Sequence, residues 1–337
     1  MPRDDFDNGF HLLHTGPVFS STCFRLFAPW TALTAALLTT ATACGGDTGG
    51  ASGDATGTTR VIGSFYPMAW LAERVGGGDV SVTTLTKPGA EPHDLELTPR
   101  QIGEISDARL VVYIKGVQPA VDKAVDQQAR GRALDAASAV KTLPPPAADA
   151  HGHGEGEHDE GEELSYDPHL WLDPSRLATV ATALGTRLAA ADPGRATTYR
   201  ANAAKLAREL NTLDGEFKAG LAQCRQKTIV TAHAAFGYLA DRYGLKQISI
   251  AGVDPGNEPS PKRLAELTHE IEHTGATTIF TETLVSPKVA EALAREAKVR
   301  TAVLDPVEGL AEGAKGDYLS VMRTNLRTLR GALGCGG

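Results

Sequence analysis

The segment 269–273 reads HEIEH, and its residue types and spacing match a zinc hydrolase motif. In an H-E-x-x-H helix, the two histidines bind zinc and the glutamate activates a water molecule. His269, Glu270 and His273 would fill these roles in an exported zinc hydrolase. This chemistry requires both imidazoles to face a cleft, so the phase of the surrounding helix decides whether the motif can function.

The pattern around this motif predicts a surface helix that begins at Pro261 and ends before Gly275. Its apolar residues recur at spacings of three and four, which builds one buried stripe from Leu264, Leu267 and Ile271. At about 100° per residue, the two histidines fall on the opposite face of this helix. We therefore expect them to face water, and we expect any zinc site to lie elsewhere.

Four other side chains with metal-binding chemistry follow predicted strands or stand in a restrained loop. They are His93 in KPGAEPHDLELTP, His169 in DPHLWLDP, His233 in TIVTAHAAFGYLA and Asp305 in TAVLDPVEG. In open α/β sheets, ligands bind beyond the carboxyl ends of the strands, so these residues are candidates for one shared site. Three imidazoles and one carboxylate suit tetrahedral zinc, whereas a manganese site usually has more oxygen ligands.

Alternating strand-like and helix-like segments must position these residues, and they predict two parallel-sheet α/β lobes. Asp192 and Pro193 open a helix that runs to about Ala222 and is long enough to join the lobes. The predicted parts are a leader (1–43), a flexible tether (44–59), an N-terminal lobe (60–174) with a disordered loop (144–164), connecting helices (175–222) and a C-terminal lobe (223–337).

Composition limits the possible partners. The chain has 337 residues, 42% of them hydrophobic, and a formal net charge of −8. This charge and the lack of a basic patch argue against binding to nucleic acid.

A short apolar run ends in ATAC at Cys44, which resembles the cleavage box of a bacterial lipoprotein. We expect lipidation of Cys44 and anchoring at the outer face of the cytoplasmic membrane, with a plain signal peptide as the alternative.

Two cysteines, Cys224 and Cys335, would remain in the exported part of the chain. Because an oxidising compartment favours disulfides, we expect this pair to join the C-terminus to the C-terminal lobe. Two unpaired buried thiols are the alternative.

The motifs KPGAEPHDLELTP, DPHLWLDP, TAHAAFGYLADRYGL, EPSPKRLAEL, LVSPKVAEALA and LDPVEGL occur in this order between Arg60 and Cys335. In this order they resemble the metal-binding solute-binding proteins of ABC transporters, in particular the zinc-type, ZnuA-like kind. The resemblance implies a metal site in the cleft between the two lobes, where the residues matching His93, His169 and His233 bind metal. It implies a fourth ligand at Asp305 in some members, with Glu91 or water as alternatives.

The same resemblance implies a histidine-rich acidic loop in zinc-type members at the place of 151–163. Here His151, His153 and His158 stand among carboxylates and would bind zinc weakly, because a flexible loop loses entropy when it orders. The alternative is a solvated spacer.

The resemblance thus implies a carrier of Zn²⁺, which we expect to be a monomer and not an enzyme. It would deliver zinc to an ABC permease and its ATPase. A manganese or broad-specificity carrier of the same family is the main alternative, and the zinc hydrolase described above is the other.

Overall fold

The structure, a computed structural model, describes residues 57–146 and 165–336, which lie in one compact unit. Its strands are β1 Thr59–Gly63, β2 Val80–Thr84, β3 Leu110–Tyr113, β4 Ala133–Asp135, β5 Thr228–Thr231, β6 Lys246–Ser249, β7 Thr278–Thr281 and β8 Arg300–Val303. Its helices are α1 Tyr66–Gly76, α2 Pro99–Asp107, α3 Pro119–Gln128, α4 Pro174–Ala191, α5 Ala196–Leu221, α6 Gly237–Tyr243, α7 Pro261–Thr274, α8 Lys288–Glu296 and α9 Tyr318–Leu333.

The strands form two four-stranded parallel sheets with the same topology. Their orders are β2-β1-β3-β4 and β6-β5-β7-β8. In each sheet the first strand in sequence has its next two strands on opposite sides, which makes a switch point beside β1 and another beside β5. Loops that leave the carboxyl ends of strands diverge there and open a crevice. The predicted fold of two parallel-sheet α/β lobes is confirmed.

Short polar residues and prolines set where the helices begin. Asp173 accepts hydrogen bonds from the backbone N–H groups of Ser175 and Arg176, and Pro174 occupies the first turn of α4. Ser260 caps α7 in the same way, and Gly275 ends this helix in the left-handed conformation at φ 67°. An N-cap hydroxyl or carboxylate satisfies N–H groups that lack a partner in the first turn, while glycine adopts positive φ without strain. The predicted bounds of this helix are confirmed.

The 26-residue helix α5 connects the lobes and is about 39 Å long. It packs against α4, α1, α9 and α6. The contact with α4 is close, because a Cβ added to Gly185 would lie 2.6 Å from the Cβ of Ala203. The main hydrophobic core continues from the N-terminal sheet through α5 to Phe280 in the C-terminal sheet. The predicted long connecting helix is confirmed.

The predicted disulfide between Cys224 and Cys335 is present. Around it, the backbone N–H of Gln226 donates to the carbonyl of Leu333, and the N–H of Gly336 donates to Gln223. The bond therefore fastens the end of α9 to the segment that leads into β5.

Several predictions concern residues outside the described part of the chain. These are the leader, Cys44 and most of the tether, and the histidine-rich loop with His151, His153 and His158. The domain boundaries given above stay predictions. Among residues 57–146 and 165–336, no helix is both long and apolar enough to cross a membrane.

Candidate metal centre

Four buried side chains from four separate segments converge between the lobes. His93 lies in the loop after β2, and His169 precedes a 3₁₀ turn at Leu170–Leu172 that leads into α4. His233 follows β5 by two residues, and Glu308 lies in the loop between β8 and α9. None of these four residues is more than 9% exposed. Two of the segments belong to each lobe, so the cluster needs both lobes in place.

The geometry of the cluster suits a small tetrahedral cation. One potential ligand atom from each residue lies within 4.8 Å of all the others. The Nε2 atoms of His93, His169 and His233 are 3.5, 3.7 and 3.2 Å from Oε1 of Glu308. Ligands at zinc–nitrogen and zinc–oxygen bond lengths would be about 3.3–3.6 Å apart in a tetrahedron. The four residues therefore fit around one zinc ion with little rearrangement.

Unsatisfied polar atoms also mark this position as a cation site. Nε2 of His93, Nε2 of His169 and Oε2 of Glu308 are buried and have no hydrogen-bond partner among the described residues. Leaving a buried polar atom unpaired costs about 1–3 kcal/mol. A cation bound at the centre would satisfy these atoms together.

Two further carboxylates orient the histidine rings. Asp167 accepts hydrogen bonds from the ring Nδ1 of His169 at 2.8 Å and from its backbone N–H at 3.0 Å. Glu282, one residue beyond β7, accepts from Nδ1 of His233 at 2.7 Å and from its backbone N–H at 3.1 Å. A carboxylate at Nδ1 keeps the proton there, which leaves the Nε2 lone pair free for a metal ion.

Burial and the carboxylates shift the proton affinities of these groups in different directions. Burial lowers the pKa of His169 despite its bond to Asp167. Burial also lowers the pKa of His233, but the charges of Glu282 and Glu308 outweigh it and hold this pKa well above its ordinary value. The pKa of Glu308 lies far below its ordinary range, because His233 and His93 outweigh the effect of its burial. The two carboxylates thus favour the protonated form of His233, and this proton would compete with a metal ion for the ring.

The predicted alternative ligand Glu91 lies beside this cluster but is not one of its four members. Its Oε1 accepts a hydrogen bond from the backbone N–H of His93 at 3.0 Å. Burial, with a contribution from Glu308, raises the pKa of Glu91 to about 7. Glu91 therefore shapes the loop that carries His93.

The structure does not bring Asp305 into the cluster, although the sequence had suggested it as the fourth ligand. Its Oδ1 accepts from the backbone N–H of Val307 at 2.7 Å, and its Oδ2 accepts from Oγ1 of Thr283 at 3.0 Å. Glu308, which sequence reasoning missed, supplies the carboxylate instead. The acidic residue in VEG, three positions after Asp305, was the available signal.

The two histidines of HEIEH lie on the exposed face of α7, as the helix phase predicts. The side chain of His269 is 84% exposed and lies near Glu272, whereas Leu267 and Ile271 are buried. Among the described residues, no third potential ligand clusters with this pair.

Residues 61–332 match the protein family described as the zinc-uptake complex component A, periplasmic (ZnuA). The zinc-binding protein AdcA of Streptococcus pyogenes serotype M6 is 39% identical over 289 residues, which cover 82% of this chain and 56% of that protein. The chain thus spans about half the length of this relative.

Two further matches extend over nearly the whole of the protein compared. The high-affinity zinc uptake system protein ZnuA of Bacillus subtilis is 33% identical over 325 residues, which cover 91% of this chain and 99% of that protein. The crystal structure of the Zn(II)-bound ZnuA-like domain of Streptococcus pneumoniae AdcA superposes with a TM-score of 0.68 at 34% identity, over 82% of this chain and 99% of that domain.

Proposed function

Because the chain belongs to the family of the zinc-uptake complex component A, we propose that it is the extracytoplasmic zinc-binding component of an ABC-type metal importer. It captures Zn²⁺ and delivers it to a membrane permease, which its ATPase drives. The observation that carries this proposal is the convergence of three buried histidines and one buried glutamate on a single point.

In this proposal His93, His169, His233 and Glu308 are the four zinc ligands. Three imidazole nitrogens and one carboxylate oxygen suit zinc better than manganese, which prefers oxygen ligands. The Glu282 and Asp167 carboxylates orient the rings of His233 and His169, so these two rings need little reorganisation when zinc binds. We assign no direct contact with the metal to Glu91 or Asp305.

The proposed role is transport of zinc, without catalysis. A hydrolytic zinc site keeps one position open for water or substrate. Here the four ligand residues already complete a tetrahedral set and are almost fully buried. The cluster is therefore built to enclose an ion.

We further propose that Cys44 is lipidated and anchors the protein, as a monomer, at the outer face of the cytoplasmic membrane. The apolar run and small residues before Cys44 support this location. The histidine-rich loop of the anchored protein would add weak zinc sites at His151, His153 and His158. Mass spectrometry of the mature N-terminus tests the anchor, and an unmodified terminus away from Cys44 would rule it out.

The zinc assignment is tested by competition titration with a chelator of known affinity. The wild type should bind one zinc ion tightly, and His233→Ala should lose this site. The double variant His269→Ala/His273→Ala is the matched control and should keep it. Tight zinc binding that survives His233→Ala but not the control substitutions would overturn the assignment. A preference of the site for Mn²⁺ over Zn²⁺ would identify manganese as the transported ion instead.

The same titration on a chain lacking 151–163 separates the two kinds of site. We expect it to lose only weak additional zinc binding. Loss of the tight site in this deletion would contradict the assignment of that site to the buried cluster.

A further inference from the structure

A local pattern recurs just before three of the four clustered residues. An acidic residue followed by proline precedes each of them, and its carboxylate accepts a hydrogen bond from the backbone N–H two positions further along. The pairs are Glu91 with His93 at 3.0 Å, Asp167 with His169 at 3.0 Å and Asp305 with Val307 at 2.7 Å. Proline fixes one backbone angle, and the carboxylate fixes the turn that follows.

The third of these turns holds an unfavourable backbone conformation. Val307 has φ 57°, which lies in the left-handed region, and it is fully buried. A β-branched residue is a genuine outlier there, because its side chain crowds the backbone. Such a conformation persists only where the surrounding structure imposes it, and it often marks a functional site. Glu308 is the next residue.

The contacts that impose this conformation surround Asp305. Asn325 on α9 accepts a hydrogen bond from the backbone N–H of Asp305 at 3.0 Å and donates one to its carbonyl at 2.6 Å. The indole of Trp171, two residues after His169, donates to the carbonyl of Pro306 at 2.7 Å. The Asp305 carboxylate supplies the direct bond to the N–H of Val307 itself.

The second carboxylate oxygen of Asp305 accepts a hydrogen bond from the hydroxyl of Thr283. Thr283 is the neighbour in sequence of Glu282, and Glu282 orients the ring of His233. Asp305 thus stands between two carboxylates that act on the same histidine, without joining the cluster itself.

We propose that Asp305 is a positioning residue, which holds Val307 in the left-handed conformation so that the Glu308 carboxylate faces the three histidines. The inference rests on the proposed zinc-binding function and adds to it a residue that acts through Glu308.

Two substitutions at one position separate this role from direct metal binding. Asp305→Ala removes the acceptor for the Val307 N–H and should weaken zinc binding about 10- to 100-fold, the usual effect of losing an outer partner of a ligand. Asp305→Asn keeps an oxygen for that N–H, and its amide can donate to Thr283. The asparagine variant should therefore bind zinc within about threefold of the wild type.

Asp254 provides a matched control in the same lobe. It also precedes a proline, and its carboxylate accepts from the N–H of Gly256 at 2.7 Å, but no clustered residue follows it. Asp254→Ala should leave zinc affinity within about threefold of the wild type.

The measurements are zinc competition titration and crystal structures of the metal-free wild type and the Asp305→Ala variant. We expect the alanine variant to show Val307 at negative φ and the Glu308 carboxylate turned away from the histidines. Wild-type affinity in Asp305→Ala would overturn the proposal, and so would an equal loss in Asp305→Asn. Failure of the wild type to bind zinc would refute the proposed function instead. The metal-free structures would still test the turn, because an unchanged turn in Asp305→Ala overturns the positioning role.

Discussion

Replacing Glu282 by glutamine removes one negative charge from the metal centre while preserving the size of the side chain. The Glu282 carboxylate is buried and accepts hydrogen bonds from both the ring Nδ1 and the backbone N–H of His233. Glutamine has a single oxygen acceptor, so it can keep one of these bonds and must present its amide to the other donor. We expect Glu282→Gln to weaken zinc binding without unfolding the protein.

The expected loss of zinc affinity follows from these contacts. Removing an outer partner of a metal-binding histidine usually lowers metal affinity 10- to 100-fold. Because glutamine retains one acceptor, we expect a loss of about tenfold in alkaline solution, or about 1.4 kcal/mol. Glu282→Ala leaves both donors unpaired and should lose about 100-fold.

The loss should also depend on pH, because the charge of Glu282 raises the pKa of His233 against the effect of burial. Below that pKa, zinc competes with a proton, and wild-type affinity falls up to tenfold for each pH unit. Glu282→Gln lowers the pKa of His233, so the affinity of the variant begins to fall only at lower pH. The difference between the two proteins should therefore narrow on acidification.

The assay is zinc competition titration between pH 6 and pH 9, with Glu270→Gln as the control for charge removal at an exposed position. The control should match the wild type at every pH. Equal affinities of the wild type and Glu282→Gln in alkaline solution would refute the orienting role of Glu282. A constant affinity ratio across this pH range would refute its effect on the proton of His233.

The other predictions concern stability and are measured by urea denaturation of metal-free protein. Asp214→Ala should lower the free energy of unfolding by about 2–3 kcal/mol, because Asp214 on α5 accepts two hydrogen bonds from Arg242 at 2.9 and 3.0 Å; an unchanged midpoint would contradict this. Cys335→Ser should lower the free energy of unfolding by up to about 4–5 kcal/mol, since the disulfide joins residues separated by 111 positions in the sequence. Cys224→Ser should have the same effect. Burial raises the pKa of Glu91 to about 7, so its ionised form destabilises the fold as pH rises from about 4.5 through 7. Glu91→Gln should therefore stabilise the protein by about 3 kcal/mol at pH 8 and have little effect at pH 4, and a gain independent of pH would argue against this cause.

The sequence was sufficient for the architecture and for three of the four clustered residues. Repeated strand and helix patterns indicated parallel sheets, and His93 and His233 stood where such sheets open their crevices. Helix phase placed the HEIEH histidines on the exposed face of α7. The sheets and the helix phase were inferred from local periodicities, which tertiary packing leaves intact, and the histidines from their places after strands or in a restrained loop.

Glu308 could not be found in this way because its direction depends on one backbone angle. In DPVEG, glycine is the residue expected to take the left-handed conformation, yet the positive φ falls on Val307. That angle depends on the bond from Val307 to Asp305 and on Asn325 and Trp171, which are distant in sequence. Sequence reasoning also missed Asp167 and Glu282, the carboxylates that orient the histidine rings. Their role can be recognised only once the positions of those rings are known.

The rigidity of α5 determines how this centre can distinguish one ion from another. A continuous helix that packs against both lobes limits changes in their separation, and each lobe contributes two of the four clustered residues. The spacing of the ligands is therefore established before an ion arrives. Discrimination then depends on ionic radius and preferred ligand type, because the four clustered residues offer three imidazoles and a single carboxylate to a cation that prefers oxygen ligands.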